Sequence, residues 1–338
     1  GDRVVVSLRQ RMSKEERQAQ EQQRALREWR RNRFRILACV DGSDESYEGL
    51  RYAAEIGRSD ECDIILLHVR PFDQGLRTGG LQMSVARENM LEWDIEMPGV
   101  ECLKKGLELL IEAGHMQKDW EFMASRSEVR GDPVGDNKIE YRSKTGKSII
   151  LKLKTAPDAA SGILDQYELG PYNVIILGAQ HRWQGDLRSL WDAGVTQKVA
   201  MLAPCSTLVT RKLGKGKGCL ICIDGSEHSL GAARRAAVLA QHAGSPVALI
   251  SVVLKDEDRK VVGAQVDAAK AAIESMGIPV SEAIVRAGDP VEQIIRVGAR
   301  YQLIVVSDSG KSRIKRFVVG SVAFKVMGHA TNSVLNVR

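Results

Sequence analysis

The stretch Arg35-Ile-Leu-Ala-Cys-Val-Asp41-Gly-Ser43 returns as Gly218-Cys-Leu-Ile-Cys-Ile-Asp224-Gly-Ser226, with the two aspartates 183 residues apart. Each copy is a short apolar run broken by Asp-Gly-Ser, a turn sequence whose serine is also a favoured helix N-cap. An alanine-rich stretch of helical pattern follows in each copy, 47–57 and 230–244, and then a second apolar run, 64–69 and 247–253. Further on, Tyr172-Asn-Val-Ile-Ile-Leu-Gly178 matches Tyr301-Gln-Leu-Ile-Val-Val-Ser307, and 203–211 matches 330–338, so both copies end on a strand.

Short apolar strands alternating with helices imply parallel, doubly wound α/β domains, whose ligand crevice lies at the carboxyl ends of the strands. The chain therefore reads as two tandem Rossmann-like domains with mainly parallel five-stranded sheets, preceded by an N-terminal helix. The expected divisions are a basic helical arm (1–33), a first domain with insertions (34–211), a glycine-rich linker (212–218) and a second domain (219–338). The offset between copies falls from 183 to 127, so the first carries 56 extra residues, most of them between 69 and 163. Part of the excess is a long connection, 71–99, and part a β-hairpin, 138–143 with 147–154, turning at Lys144-Thr-Gly146. Two stretches, Val129-Arg-Gly-Asp-Pro-Val134 and Ala156-Pro-Asp-Ala159, compete as the counterpart of Val285-Arg-Ala-Gly-Asp-Pro-Val291.

Length and composition agree with this division. The 338 residues are 43% hydrophobic and 27% charged, enough for two cores, and no apolar run approaches the roughly 18 residues that span a bilayer. Six cysteines are too few for a disulfide scaffold and suit a reducing cytoplasm, the expected location. Cys219-Leu-Ile-Cys222 has redox or zinc spacing, but it lies inside an apolar run with no second pair, so two buried strand cysteines are expected and no metal site.

The net charge is +6, yet residues 1–33 hold ten Lys/Arg against five Asp/Glu, which leaves the rest nearly neutral. Contact with nucleic acid or an anionic membrane is thus open only to the arm, and a polar helix lying on its own protein or a partner chain is the simpler reading. Ser13-Lys-Glu-Glu16 is a capping box for a helix running to about Arg31, with Leu26 and Trp29 on one face.

The second copy carries the more suggestive motif: Ser307-Asp-Ser-Gly310, nine residues, then Gly320-Ser321. Gly310 would let backbone N–H groups approach phosphate oxygens, and Gly320-Ser321 opens a helix whose N-terminus attracts anions. Lys311, Arg313, Lys315 and Arg316 add positive charge, while Asp308 puts a carboxylate where it repels phosphate unless it points outward. In the first copy the loop from Gly178 to Gly194 is two residues longer, holds Trp183 and Trp191, and places Ala193-Gly194 opposite Gly320-Ser321.

With these pieces in order over about 300 residues, the chain resembles the universal stress protein family. The resemblance rests on the strands ending in Asp-Gly-Ser, Leu67-His-Val69, Gly288-Asp-Pro290, the glycine loop, and Ala203-Pro-Cys205 before the last strand. It implies a site for ATP or a related adenine nucleotide, with Mg²⁺ admitted as its companion, mainly in the second copy. The residues implied are Asp224 near the ribose, Val252 behind the adenine, and Ser307, Gly310, Gly320, Ser321 and Val322 around the phosphates. Ser307 stands where the family pattern has a glycine. The matching positions of the first copy, Asp41, Val69, Gly178 and Gly194, form a degenerate site.

The family also implies pairing of final strands, here 206–209 with 333–337 inside one chain, leaving the hairpin and arm to join two chains as a homodimer. The alternative is a nucleotide-free stress-response protein acting through dimerisation and an unknown protein partner. An enzyme is not expected. The two Gly-Lys-Ser tripeptides lack the earlier glycine of a P-loop, the six histidines show no metal pairing, His68 reads as a packed core residue, and Ser43 and Ser226 read as N-caps rather than nucleophiles.

Overall fold

The structure, a computed structural model, describes residues 13–72, 98–130, 132–168, 170–179, 194–211, 216–308 and 319–338. The first repeat runs α1 (Lys14–Arg31), β1 (Phe34–Cys39), α2 (Asp44–Ile56), β2 (Cys62–Pro71), α3 (Pro98–Glu112), β3 (Glu121–Val129), β4 (Asp132–Arg142), β5 (Ser148–Ala156), α4 (Ala159–Glu168), β6 (Val174–Gly178), α5 (Val195–Leu202) and β7 (Ser206–Thr210). The second runs β8 (Cys219–Cys222), α6 (Glu227–His242), β9 (Val247–Val253), α7 (Arg259–Glu274), β10 (Val280–Ala287), α8 (Pro290–Gly298), β11 (Leu303–Ser307), α9 (Ser321–His329) and β12 (Ser333–Val337).

All strands join one twelve-stranded sheet in the order β10-β9-β8-β11-β12-β7-β6-β1-β2-β5-β4-β3. The second repeat supplies five of them, all parallel to one another, as expected. The first supplies the matching five and adds β3 and β4, which pair antiparallel beyond β5. Because helices cover both faces, the central strands are nearly continuous apolar runs: Ile36, Leu37, Ile64–Leu67 and Leu220–Ile221 are almost fully buried.

The competing counterparts of Val285–Val291 resolve on this topology. β5 runs parallel to β2 and leads through Ala156-Pro-Asp into α4, as β10 leads through Gly288-Asp-Pro into α8. Val129 and Asp132 instead flank the turn of the β3–β4 hairpin. The expected hairpin at Lys144-Thr-Gly146 is β4–β5, with Ser143 N donating to Lys147 O at 2.9 Å in reverse order of the strands, that is, Ser143 N–H to the Lys147 carbonyl.

The repeats meet at β12 and β7, the antiparallel seam of the sheet, where Val334, Leu335 and Asn336 face Val209, Leu208 and Thr207. Leu208 and Leu335 are the same position of the two copies, so the pseudo-twofold axis passes between them. The cross-seam bonds obey it: Arg211 N donates to Ser333 Oγ at 3.1 Å and Arg338 N to Ser206 Oγ at 3.0 Å. The arginine side chains follow, Arg211 Nη2 donating to Met327 O at 2.5 Å near the end of α9 and Arg338 Nη1 to Ala203 O at the end of α5. Cations belong at helix C-termini, where carbonyls lack intrahelical donors. One core cluster joins both repeats on each face of the seam, through Leu208 and Leu335 on one side and through Val209 and Val334 on the other.

The arm behaves as its sequence directs. Glu16 N donates to Ser13 Oγ at 3.1 Å and Ser13 N to Glu16 Oε2 at 2.7 Å, so the capping box starts α1 and the helix ends at Arg31. No residue of α1 is buried, and Trp29 is half exposed beside Gly146 of the β4–β5 turn. Among the described residues no helix is long and apolar enough to cross a membrane.

Candidate functional site

Each Asp-Gly-Ser closes the first strand of its repeat in the same way. Ser43 donates to Asp41 Oδ1 through its N–H (2.9 Å) and its hydroxyl (2.5 Å), and Ser226 does the same to Asp224 Oδ1 (2.9 and 2.6 Å). The intervening Gly42 and Gly225 have φ of +89° and +80°, a backbone region that side chains with a Cβ avoid. Each serine hydroxyl also accepts from the N3 amide, Ser46 N or Ser229 N, both at 3.1 Å. Both serines are therefore N-caps, and both aspartates are exposed at the carboxyl edge of the sheet.

In each repeat the chain leaves the first strand toward one side of the sheet and later returns on the other. The crevices between β8 and β11 and between β1 and β6 are thus topological switch points, where doubly wound sheets bind ligands. They differ in how closely the helix after the first strand approaches the strand across the crevice. An ideal Cβ on Gly178 would lie 2.5 Å from Ser46 N, so the first turn of α2 rests on the end of β6. Thr210 Oγ1 bonds to Glu45 O (2.7 Å) and Leu177 O (3.2 Å), and Gly49 lets α2 approach Ile176. The second repeat has Ser307, Val337 and Ala232 at these three positions, and α6 stands further from β11. Gly178 thus serves a helix-to-strand approach, a role the sequence alone did not separate from a phosphate loop.

The helices that follow the switch point lack the serine caps of α2 and α6. Gly194 is the N-cap of α5 and Gly320 that of α9, and neither helix has a side-chain cap. The two helices end in step, Leu202 matching His329, and α5 starts one residue later than α9, so Gly194, aligned with Ser321, is an N-cap while Ser321 is already helical. Ser321 is the first helical residue and is exposed, as is Val322. Val252 is half buried against the cores beneath α8 and α9, and Val69 packs on Gly162 of α4. Gly310 lies outside the described residues, as do Lys311, Arg313, Lys315 and Arg316 of the second loop and Trp183 and Trp191 of the first.

Asp308 does not point outward. Its Oδ1 accepts from Gly320 N at 3.2 Å and from Asn336 Nδ2 at 3.4 Å, and its Oδ2 is 2.8 Å from Arg338 Nε. A carboxylate of the chain therefore sits at the α9 N-terminus, the position where a helix attracts an anion. Its partner Arg338 escaped the sequence reading, although the shared arginine ending of 203–211 and 330–338 was a signal for it. The first repeat has Ala179 at the position of Asp308.

The remaining candidates are structural. His68 Nδ1 lies 2.7 Å from Val40 O, inside the first repeat. Cys219 and Cys222 are three apart in one strand and so face opposite sides of the sheet, which prevents them from sharing an ion. Burial pushes the Cys205 and Cys219 thiols up to about 12, far from a reactive thiolate. Among the described residues no cluster of His, Cys, Asp and Glu fits a metal ion.

Fold and site together define a class: two doubly wound α/β repeats, fused edge to edge, each with an Asp-Gly-Ser turn at its switch point. The sequence profile described as the universal stress protein family matches residues 32–96 and 217–338, more than half of the chain, and the chain belongs to that family. A putative universal stress protein from Pseudomonas aeruginosa UCBPP-PA14 is similar over 90% of this chain and 92% of its own, at 13% identity and a TM-score of 0.56. Protein PA1789 from Pseudomonas aeruginosa PAO1, described as functionally unknown, covers the same shares at 13% identity and a TM-score of 0.54. The Archaeoglobus fulgidus universal stress protein in complex with dAMP matches 36% of this chain and 98% of its own, at 23% identity and a TM-score of 0.31. No curated protein matches the sequence.

Proposed function

We propose that this chain is a non-catalytic regulator that takes an adenine nucleotide, ATP or a close relative, at the switch point of the second repeat, with residues 34–211 and 219–338 acting as two domains. The observation that supports this most is the β8–β11 crevice, which has the exposed Asp224 turn at one strand end and, after the other, a helix α9 whose N-terminus lacks a side-chain cap. Ribose hydroxyls suit a carboxylate acceptor, and phosphate suits free amide donors at a helix start. Asp308 shapes the binding. To reach Gly320 N, a phosphate must displace this carboxylate, which releases Arg338 from its ion pair with Asp308. The first repeat, with α2 resting on Gly178, is the degenerate partner.

Small molecules released by denaturing freshly purified protein are identified by mass spectrometry, and Mg-ATP is titrated into wild type, Gly320→Val and Asp308→Ala. The expected results are an adenine nucleotide in the released fraction, loss of binding in Gly320→Val, and tighter binding in Asp308→Ala. The second reading, a nucleotide-free protein working through dimerisation and partner contacts, is favoured by the bonds that Asp308 already makes. Absence of ATP binding at about 1 mM, the weak end of specific affinity, in both wild type and Asp308→Ala overturns the first reading and leaves the second.

A further inference from the structure

Away from either switch point, four cations converge on one small cavity of the first repeat. The cavity, about 190 Å³, lies between α1, α4 and the sheet face formed by β1, β2, β5 and β4. Arg30 reaches it from α1, Arg35 from β1, Lys138 from β4 and Lys152 from β5, and Gln166 and Tyr172 add polar groups. No carboxylate is among the described residues that line it.

The carboxylates on this face are engaged mainly with cations outside the cavity, and only Lys138 of the four has one within ion-pair distance. Asp63 is held at both oxygens by Arg33, at 2.7 and 2.8 Å. Asp136 lies 3.7 Å from Lys154 and accepts from Thr155 N at 2.8 Å. Glu140 accepts from Arg142 and Ser148 Oγ, both at 3.0 Å, and reaches Lys138 at 3.5 Å. Among the described residues, Arg30, Arg35 and Lys152 have no carboxylate within ion-pair distance. Arg35 is 3% exposed; it donates to Pro171 O at 3.3 Å and lies 4.6 Å over the Tyr172 ring.

The arrangement is costly without an anion. Lys138 and Lys152 stand directly opposite each other in the β4–β5 register, where like charges repel. Burial, opposed by Asp136 and reinforced by Lys154 and Lys138, holds the Lys152 ammonium below its ordinary range, and burial also lowers Arg35. At roughly 30 Å³ per water, the cavity has room for a few waters or one compact ion but not for a polymer. Gln166 Oε1, buried without a hydrogen-bond partner, offers an acceptor for a proton on such an ion. The Tyr172 hydroxyl accepts from Gln166 Nε2 at 2.9 Å and retains its own proton to donate.

We infer that this cavity binds a compact polyanion of phosphate chemistry, inorganic diphosphate or the polyphosphate end of a nucleotide, through Arg30, Arg35, Lys138 and Lys152. Tetrahedral oxygens with several negative charges match donors arriving from four elements. Since one of those elements is α1, which buries no residue of its own, the anion also pins the arm to the sheet. The inference concerns a different part of the molecule from the nucleotide reading and does not rest on it.

The test titrates inorganic diphosphate into the full chain by calorimetry, at fixed ionic strength, for wild type, Arg30→Gln and Lys138→Gln/Lys152→Gln. Binding tighter than about 1 mM is expected for wild type, weakened about tenfold or more in the double variant and severalfold in Arg30→Gln. Hydrogen exchange along α1 should slow when diphosphate is added, a readout that stands even if the double variant fails to fold. ATP titrations separate the sources: loss of an ATP heat in the double variant assigns the cavity to a nucleotide's polyphosphate, and inorganic diphosphate binding without that loss assigns it to the free ion. Absence of diphosphate binding by wild type, or binding by the double variant and by Arg30→Gln as tight as that of wild type, overturns the inference.

Discussion

The carboxyl edges of the two repeats begin from the same Asp-Gly-Ser turn and end differently. In the first, Gly49, Gly178 and Thr210 draw α2 onto β6, so that the helix backbone meets the end of that strand. In the second, Ala232, Ser307 and Val337 stand at these positions, α6 is further from β11, and a carboxylate, Asp308, lies at the start of α9. One repeat thus uses its glycine for packing, while the other spends an internal anion on satisfying the amide that packing left available. A local motif shared by two copies is therefore no guide to a shared site; the residues one layer behind it decide how near the next helix comes.

The seam offers the largest test of this comparison, since there the repeats are equivalent rather than divergent. Leu208→Ala and Leu335→Ala each delete a buried side chain on the pseudo-twofold axis and should cost about 2–5 kcal/mol in urea denaturation, by similar amounts for the two. Clearly unequal losses would break the symmetry. Next, Thr210→Val gives the first repeat the residue of the second. Losing a buried hydroxyl that bonds to Glu45 O and Leu177 O should cost about 1–3 kcal/mol, with faster hydrogen exchange in the first turn of α2.

Asp308→Ala should tighten ATP about tenfold, close to 1.4 kcal/mol, because it removes the competing carboxylate and frees Arg338. An unchanged dissociation constant would show that Asp308 does not guard the crevice. The smallest effect is expected at the caps. Ser43→Ala and Ser226→Ala each remove one bond to an N3 amide and should lower the melting free energy by about 1 kcal/mol apiece, equally in the two repeats.

Much of this was legible in the residue order. The capping box, the paired Asp-Gly-Ser turns and the β4–β5 hairpin follow from short-range chemistry or from repetition and survive folding unchanged, while the strand-to-strand seam is what the family resemblance implied. β3 was harder to see: it lies at the sheet edge and most of its residues are exposed, so no alternation of buried and solvated positions marks it. The role of Gly178 was also hidden, because a glycine needed for a phosphate and one needed for a helix look alike in a string of letters.

The amino-acid order alone determined two doubly wound repeats and where each turns, since these depend on patterns within a few residues or on one copy matching the other; the pairing of their last strands was what the family resemblance implied. Only the tertiary structure decided how closely α2 approaches β6, that Asp308 turns toward Gly320 and Arg338, and that Arg30, Arg35, Lys138 and Lys152 share a cavity. Those outcomes depend on distances between elements far apart in the chain, set by side-chain volume in the layer between helix and sheet, and no local pattern encodes such a distance.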